Sequence, residues 1–402
     1  MNRFVVVGAG PAGLTLALQL ARAGHHVALV EASRQFSRQF RGDALMPCGQ
    51  EATARMGLSA LLERLPQRPL EGWSVWVNKR QLFAVSEPMQ SLQPCRLVQQ
   101  RLLLEALLEE ALQEPLLQWH PGVAVRGLRR RGERISGVEL AGGGGLEGDL
   151  EGDLVLGCDG RQSLLRREAG IQLLERGQGL ELLWFELPGP LPADLDGGFS
   201  THLAGGAIGS ACVGASGNLQ LAWLLERGEA TPQRSREQWA QALAGLLPPP
   251  LANLVRQRCG DLQGPLKVSV QVGLARSWRR PGLLLLGDAA HPMSPVRAQG
   301  INLALRDSLV AAHWLGRAKT DQLDAAAAAV ERQRLPEIRR MQALQSAEAR
   351  QGHLIGHSPL LRATLSSAAA IAGPLAKQVW MARQGPMREG LAEAIPSARI
   401  TP

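Results

Sequence analysis

The chain has 402 residues, of which 45% are hydrophobic and 20% charged, and its formal net charge is +8. This length predicts two to three domains. Because the arginines are spread along the sequence among acidic residues, the charge indicates a surface that favours anionic ligands rather than nucleic acid. The five cysteines form no Cys-x-x-Cys pair, which gives little support to zinc or dithiol chemistry and fits a reducing compartment.

The first predicted elements form a βαβ unit. The continuous apolar run from Arg3 to Val7 is typical of a buried parallel strand. Residues 12–23 have helical spacing and end at Gly24, a residue type that commonly follows a helix. His26 to Glu31 is the next predicted strand.

The turn between the first strand and the first helix carries a phosphate-binding signature. Gly8 permits a tight turn, Gly10 lets the backbone approach a pyrophosphate, and Gly13, after Ala12, lets the helix pack closely on the strand. An anion there meets free N–H groups and the positive end of the helix dipole. The carboxylate of Glu31 suits ribose hydroxyls and disfavours a 2′-phosphate, which predicts FAD or NAD rather than NADP.

Periodicity predicts the remaining elements. They are a helix over 51–65, strands over 73–85, a helix over 99–112, strands over 122–154 around a glycine turn at 142–145, strands over 180–187, 199–203, 207–213, 219–225 and 266–272, short helices over 237–247 and 251–258, helices over 302–315 and 322–351, and a helical tail from 353 broken by Pro359 and Pro374. The change of pattern at 180–272 predicts a second, mostly antiparallel domain inserted in the first.

A second apolar strand runs into a small-residue turn late in the chain. Residues 283–286 precede Gly287-Asp288-Ala289-Ala290-His291, and a predicted helix follows. Two strand–turn–helix sites on one chain suggest one long dinucleotide lying between them. The chain has no second glycine signature of the dinucleotide type, which argues against a disulfide reductase with two such domains.

Three motifs, in order, resemble those of the class A flavoprotein monooxygenases, the hydroxybenzoate-hydroxylase-like FAD-dependent aromatic hydroxylases. They are the glycine signature closed by Glu31, the Asp-Gly motif from Gly157 to Arg166, and Gly287 to His291 followed by Pro295, Gly300, Asn302 and Asp307. The resemblance implies an α/β fold, namely an FAD/NAD(P)-binding Rossmann-like domain with an inserted, mostly antiparallel β-sheet substrate domain and a helical C-terminal tail. The expected boundaries are 1–72, 97–170 and 275–340 for the FAD-binding domain, 73–96 and 171–274 for the substrate domain, and 341–402 for the tail.

The resemblance also implies roles for single residues. Those expected to contact FAD are Arg41 on the flavin side, Gln100 by hydrogen bonding, Val125 at the adenine through its backbone, Asp159 and Arg166 of the Asp-Gly motif, and Asp288 at the ribityl and pyrophosphate region. Pro295 is expected to line the flavin ring, and Gly300, Ile301 and Asn302 to open a helix facing its pyrimidine edge. Asp159 and Arg166 are also expected to support transient binding of NADH or NADPH.

The chain departs from the family pattern at two points. The family commonly has glycine at position 298, whereas here Arg297 precedes Ala298, so a turn requiring positive φ would be strained and Arg297 is expected to point to water. The chain has no tyrosine, so the tyrosine relay of some relatives is impossible. His202, on a predicted strand, is the candidate base instead, while His291 is expected to be structural.

The resemblance implies an FAD-dependent monooxygenase that uses NAD(P)H and O2 to hydroxylate an aromatic or quinol-type substrate through a flavin hydroperoxide. Trp184, Leu203, Val213 and Trp223 are candidates for the substrate wall. A geranylgeranyl-reductase-like prenyl reductase and a non-catalytic prenyl-binding escort of the same fold remain as alternatives. No metal is expected.

Two features of the sequence bear on the expected cellular location and membrane contact. The first strand begins almost at Met1, so no signal peptide is expected and a cytoplasmic location is favoured. The apolar stretch at 363–376 is too short to span a bilayer, which leaves open a peripheral contact of the tail with a membrane or a prenylated substrate. The oligomeric state is not predicted.

Overall fold

A computed structural model describes residues 1–36, 43–89, 93–141, 148–175, 180–193, 195 and 197–396. The strands are β1 (Arg3–Val7), β2 (His26–Glu31), β3 (Ala44–Leu45), β4 (Gln67–Pro69), β5 (Gly72–Val77), β6 (Arg80–Ser86), β7 (Arg96–Val98), β8 (Leu117–Pro121), β9 (Ala124–Arg131), β10 (Arg134–Ala141), β11 (Asp149–Glu151), β12 (Leu154–Gly157), β13 (Leu173–Glu175), β14 (Leu180–Leu187), β15 (Phe199–Ala204), β16 (Ala207–Val213), β17 (Leu219–Glu226), β18 (Gln263–Val270), β19 (Gly273–Ala275), β20 (Arg279–Arg280) and β21 (Leu283–Leu285). The helices are α1 (Pro11–Arg22), α2 (Pro47–Arg55), α3 (Ser59–Arg64), α4 (Gln100–Ala111), α5 (Leu164–Glu168), α6 (Arg236–Leu246), α7 (Pro249–Gln257), α8 (Gln299–Leu315), α9 (Leu323–His357), α10 (Pro359–Ser367) and α11 (Ala369–Glu389).

One sheet has six strands in the order β20-β21-β12-β1-β2-β8. All its pairs are parallel except that of β20 with β21. Val7 lies opposite Gly157, and Gly157 lies opposite Leu285. Three strands therefore end at one edge, where ligands of open α/β sheets bind.

A seven-stranded sheet in the order β18-β14-β17-β16-β15-β5-β6 lies beside the first. Its pairs are antiparallel except that of β15 with β5. Leu183, Phe185 and Leu221 pack with Trp239 of α6 on one face of this sheet, so the helices α6 and α7 cover it. This sheet confirms the predicted fold of a Rossmann-like domain with a mostly antiparallel insertion; the exact domain boundaries stay a prediction.

Two helix predictions were wrong in detail. The helix expected over 51–65 is two helices, because Gly57 adopts φ +72° and ends the first. In the tail, Pro374 does not break the helix but lies inside α11, whereas Pro359 occupies the first position of α10, where proline is well tolerated. The predicted glycine turn at 142–145 lies outside the described residues.

A buried ionic cluster joins α8, α9 and the turn after β21. The Asp307 carboxylate accepts hydrogen bonds from Gly287 N–H at 3.0 Å and Arg334 Nε at 2.7 Å, and its Oδ2 lies 2.6 Å from His291 Nε2. Glu337 pairs with both Arg306 and Arg334. Burial alone would raise the pKa of Asp307, but the His291 and Arg334 charges and hydrogen bonds outweigh it and lower the pKa to about 2.

We expect Asp307→Asn to lower the free energy of unfolding by about 3–5 kcal/mol, because it leaves Arg334 buried without half of its counter-charge. Chemical denaturation at neutral pH measures this loss. Since the pKa of folded Asp307 lies below its ordinary value of 3.8, its contribution is present above that value and disappears as the pH falls towards about 2. The exposed pair Arg101–Glu105 supplies the control, and Glu105→Gln should change stability by less than about 0.5 kcal/mol. Equal losses in the two variants would contradict the prediction.

Candidate active site

One cavity of about 1260 Å³ lies between the common edge of β1, β12 and β21, the seven-stranded sheet and the C-terminal part of α9. Eleven residues predicted to bind the cofactor line it: Gly8, Gly10, Ala12, Glu31, Gln100, Val125, Asp159, Asp288, Pro295, Gly300 and Ile301. The volume exceeds the roughly 300–1,000 Å³ of ordinary small-molecule pockets, which suits a site that holds two ligands.

The glycine turn is open on the side that a pyrophosphate would approach. A Cβ on Gly8, whose φ is +98°, would stand 2.4 Å from the Cys158 carbonyl oxygen, whereas a Cβ on Gly10 would meet no protein atom within 4 Å. The N-terminus of α1 has no side-chain cap and no acidic residue in its first turn. Its free N–H groups and dipole are therefore available to an anion at the cavity.

Glu31, at the end of β2, is hydrogen-bonded to the same turn. Glu31 accepts hydrogen bonds from Ala9 N–H at 2.8 Å and from Ser33 N–H at 2.9 Å. Each carboxylate oxygen carries a second lone pair, so Glu31 can still accept a hydroxyl donor from a ribose in the cavity.

Asp288 follows β21 and faces a cation that the sequence reasoning missed. Arg161 Nε lies 2.9 Å from Asp288 Oδ2, and both residues line the cavity. Asp159 accepts hydrogen bonds from Ser163 Oγ at 2.6 Å and from Leu165 N–H at 3.0 Å, so it orders the turn before α5. Arg161 follows Asp159 and Gly160 directly in the Asp-Gly motif, and that position was the sequence signal that could have identified it.

Three predicted cofactor residues lie behind the cavity wall. A Cβ on Gly13 would stand 1.9 Å from Gly8 O, so Gly13 allows α1 to pack on β1. Arg166 donates to Ala289 O and Arg161 O at 2.8 and 2.9 Å, and burial lowers its pKa. Asn302 is fully buried; its side chain accepts from Met46 N–H at 2.8 Å and donates to Ala298 O at 2.8 Å. The predicted contact of Arg41 lies outside the described residues.

The N-terminus of α8 also opens on the cavity without a side-chain cap or an acid in its first turn. Arg297 and Ala298, which precede it, adopt φ +59° and +48°. The turn thus has the positive φ that the sequence identified as strained for a residue with a Cβ.

Replacing Ala298 by glycine should raise the free energy of unfolding by about 0.5–1 kcal/mol, because the left-handed conformation no longer opposes a Cβ. Thermal or chemical denaturation measures the gain. Ala23 is the matched control, since it is exposed and has φ −79°, so Ala23→Gly should lower stability instead. A loss of stability in Ala298→Gly would refute the strain.

Arg297 does not point to water as expected. Its guanidinium lies over the rings of both Trp73 and Trp380, 4.7 and 4.8 Å from their centroids, and it pairs with Glu348. Two aromatic faces and a carboxylate satisfy this charge within the protein.

The face of the seven-stranded sheet turned away from α6 forms the far wall of the cavity. Of the four predicted wall residues, only Trp184 belongs to this face: Trp223 borders the cavity, but its ring packs on Trp239 of α6, and Leu203 and Val213 are buried elsewhere. Leu182, Ala222 and Leu224 add apolar surface to the wall.

The structure does not place His202 at this wall. Thr201 faces the cavity, and since side chains alternate along a strand, His202 lies on the opposite face. Its Nε2 is 2.8 Å from Ser200 Oγ, its ring stacks on Trp76, and burial lowers its pKa to about 3. This geometry argues against the base role predicted for His202. His291 is likewise absent from the lining of the cavity and bonds to Asp307, which agrees with the structural role expected of it.

Asp43 is an acid at the cavity that the sequence did not reveal. It lines the cavity where β3 meets the seven-stranded sheet, and it accepts a hydrogen bond from Gln220 Nε2 at 3.3 Å. Burial raises its pKa to about 6, and nearby Glu186 adds to the shift.

Comparison with known proteins identifies the class. The chain matches the family described as FAD binding domain over residues 2–341. It is 34% identical over 361 residues to the 6-methylpretetramide 4-monooxygenase of Streptomyces rimosus, which covers 86% of this chain and 83% of that protein. It is 28% identical over 323 residues to the 6-hydroxynicotinate 3-monooxygenase of Bordetella bronchiseptica, with 76% and 80% covered.

The solved p-nitrophenol 4-monooxygenase PnpA of Pseudomonas putida has the same fold, with a TM-score of 0.78 at 18% identity over 98% of this chain and 100% of that one. The chain therefore belongs to the class A flavin-dependent aromatic monooxygenases. Its cofactor is FAD, which fits the open space at Gly10 and the two uncapped helix N-termini, and NAD(P)H is the reductant typical of the family. These comparisons favour a monooxygenase over the prenyl reductase and the escort.

Proposed function

We propose that this enzyme hydroxylates a phenolic ring of a bulky, multi-ring aromatic compound. The observation that supports this most strongly is a single cavity that joins the glycine turn and the N-terminus of α8 to the apolar face of the seven-stranded sheet. The relative at 34% identity is a 6-methylpretetramide 4-monooxygenase, which favours a polycyclic substrate.

The chain's own groups have separate tasks in this proposal. FAD, when bound, supplies the oxygen chemistry with electrons from NAD(P)H. The free N–H groups of α1 hold the pyrophosphate, and Asp288 accepts sugar hydroxyls. The N-terminus of α8 favours negative charge on the flavin edge by about 0.3–1 kcal/mol. The apolar sheet wall excludes water from the reacting atoms.

Asp43 is the proposed base for the phenolic proton. Its carboxyl lies at the junction of the cofactor region and the sheet wall, and a pKa of about 6 leaves it ionised yet basic near neutral pH. A phenolate is a better nucleophile than a phenol towards an electrophilic oxygen, so proton removal at this position would assist hydroxylation.

Asp43→Asn should abolish the rise of kcat/KM with pH that is centred near 6, because the carboxyl must be ionised to accept the proton. Asp43→Glu should restore the rise in part. Steady-state rates of substrate-dependent NAD(P)H oxidation across pH measure this. Glu186→Gln is the control: it removes a neighbouring charge, so the rise should persist and move to lower pH. An unchanged profile in Asp43→Asn would exclude the base role.

The purified protein should be yellow with bound FAD, and a polycyclic phenol should stimulate NAD(P)H oxidation and incorporation of oxygen from labelled O2 into the product. Gly10→Val should weaken FAD binding at least about tenfold, because its side chain would enter the cavity without meeting protein atoms. Gly245 supplies the control, because a Cβ there also meets no protein atom within 4 Å and the residue lies outside the cavity lining, so Gly245→Val should leave FAD binding unchanged.

Other outcomes of this assay would favour the alternatives. Flavin reduction without substrate-dependent oxygen uptake would indicate a reductase, and a colourless protein that stays empty in excess FAD would indicate an escort.

Among the described residues, no helix has both the length and the hydropathy to span a bilayer. Ile371, Leu375 and Val379 nevertheless form an exposed apolar stripe on α11, so a prenylated quinol in lipid vesicles belongs in the substrate panel. Co-sedimentation with those vesicles would test the peripheral contact of the tail.

A further inference from the structure

Three potential metal ligands meet at the rim of the cavity. Glu226 ends β17, and His353 and His357 lie one turn apart near the end of α9. One ligand atom from each lies within 4.8 Å of the others, and all three residues line the cavity. We refer to Glu226, His353 and His357 as the rim cluster.

The geometry of the rim cluster is close to that of a zinc site. His353 Nδ1 and His357 Nε2 lie 3.7 and 4.0 Å from Glu226 Oε1. Ligand atoms at about 2.0–2.1 Å from a tetrahedral zinc ion stand about 3.4 Å apart. The two imidazole nitrogens and the carboxylate oxygen all lie within 4.8 Å of one another, so small side-chain rotations would bring them to that spacing.

Orientation also favours metal binding. His357 Nδ1 lies 3.0 Å from the carbonyl oxygen of His353, and donation to that oxygen leaves Nε2 with its lone pair towards Glu226. The two imidazole rings lie 4.2 Å apart between centroids and converge on one carboxylate. In the described part of the chain, no lysine or arginine forms an ion pair with Glu226, and the nearby Arg234 stacks on Trp223 and Trp239 instead.

We propose that the rim cluster binds one zinc ion through two imidazoles and one carboxylate, and that the ion holds the end of α9 against the end of β17 at the cavity mouth. Two histidines and one carboxylate, with the fourth position open to water, are a ligand set that zinc commonly takes. Because the ligands are half-exposed, the site can exchange its ion with solvent, and its occupancy would set how freely α9 moves at the entrance.

Tag-free protein, stripped with a chelator and dialysed against ZnCl2, should retain one zinc per chain by elemental analysis. His353→Gln and His357→Gln should each weaken binding at least about tenfold. His26→Gln, which changes an exposed histidine on β2, should not. Cobalt in place of zinc should give d–d bands without a thiolate charge-transfer band, since no cysteine belongs to the rim cluster.

Amide hydrogen exchange measures the restraint on α9. Zinc should slow exchange over residues 349–357 in the wild type and not in His353→Gln. Zinc retained by both histidine variants, a thiolate band with cobalt, or exchange that zinc does not change would each overturn the proposal. Because these measurements need neither flavin nor substrate, their failure is distinct from failure of the hydroxylase assignment.

Discussion

The edge of the six-stranded sheet that borders the cavity depends on one buried carboxylate, that of Asp307. Asp307 accepts the N–H of Gly287, the residue before Asp288, and at the same time bonds His291 and Arg334. A buried charge costs several kcal/mol unless its partners are well placed, and here the partners of Asp307 in α8 come from the turn and from α9. The turn that presents Asp288 is therefore positioned by residues that never touch the cavity.

The same cluster extends to the C-terminal region. Glu337 accepts Leu391 N–H at 2.6 Å, and Arg306 donates to Leu391 O at 2.7 Å. On the cavity side, Arg297 connects the loop before α8 to Trp73 of the sheet and Trp380 of α11. The side chain of Arg297 thus connects the loop before α8 to the substrate sheet and to the tail.

Local chemistry decided what the sequence could predict. Gly8, Gly10 and Asp288 lie in turns whose geometry needs those residue types, so their place at the cavity followed from motif and strand order. The face of a strand is harder to infer when both faces are buried. His202 and Thr201 are adjacent and both polar, and only the packing of α6 shows which one faces the cavity.

Asp43 illustrates the remaining limit. Its partner Gln220 lies 177 residues away, and no local pattern indicates that β17 would bring an amide to this carboxyl. The raised pKa arises from that tertiary burial, so neither residue shows it alone. The apolar wall and Asp43 at its border both arise where the two sheets pack around the cavity. A chain without tyrosine can therefore still acquire a group that accepts protons near neutral pH, provided that the sheets close around it.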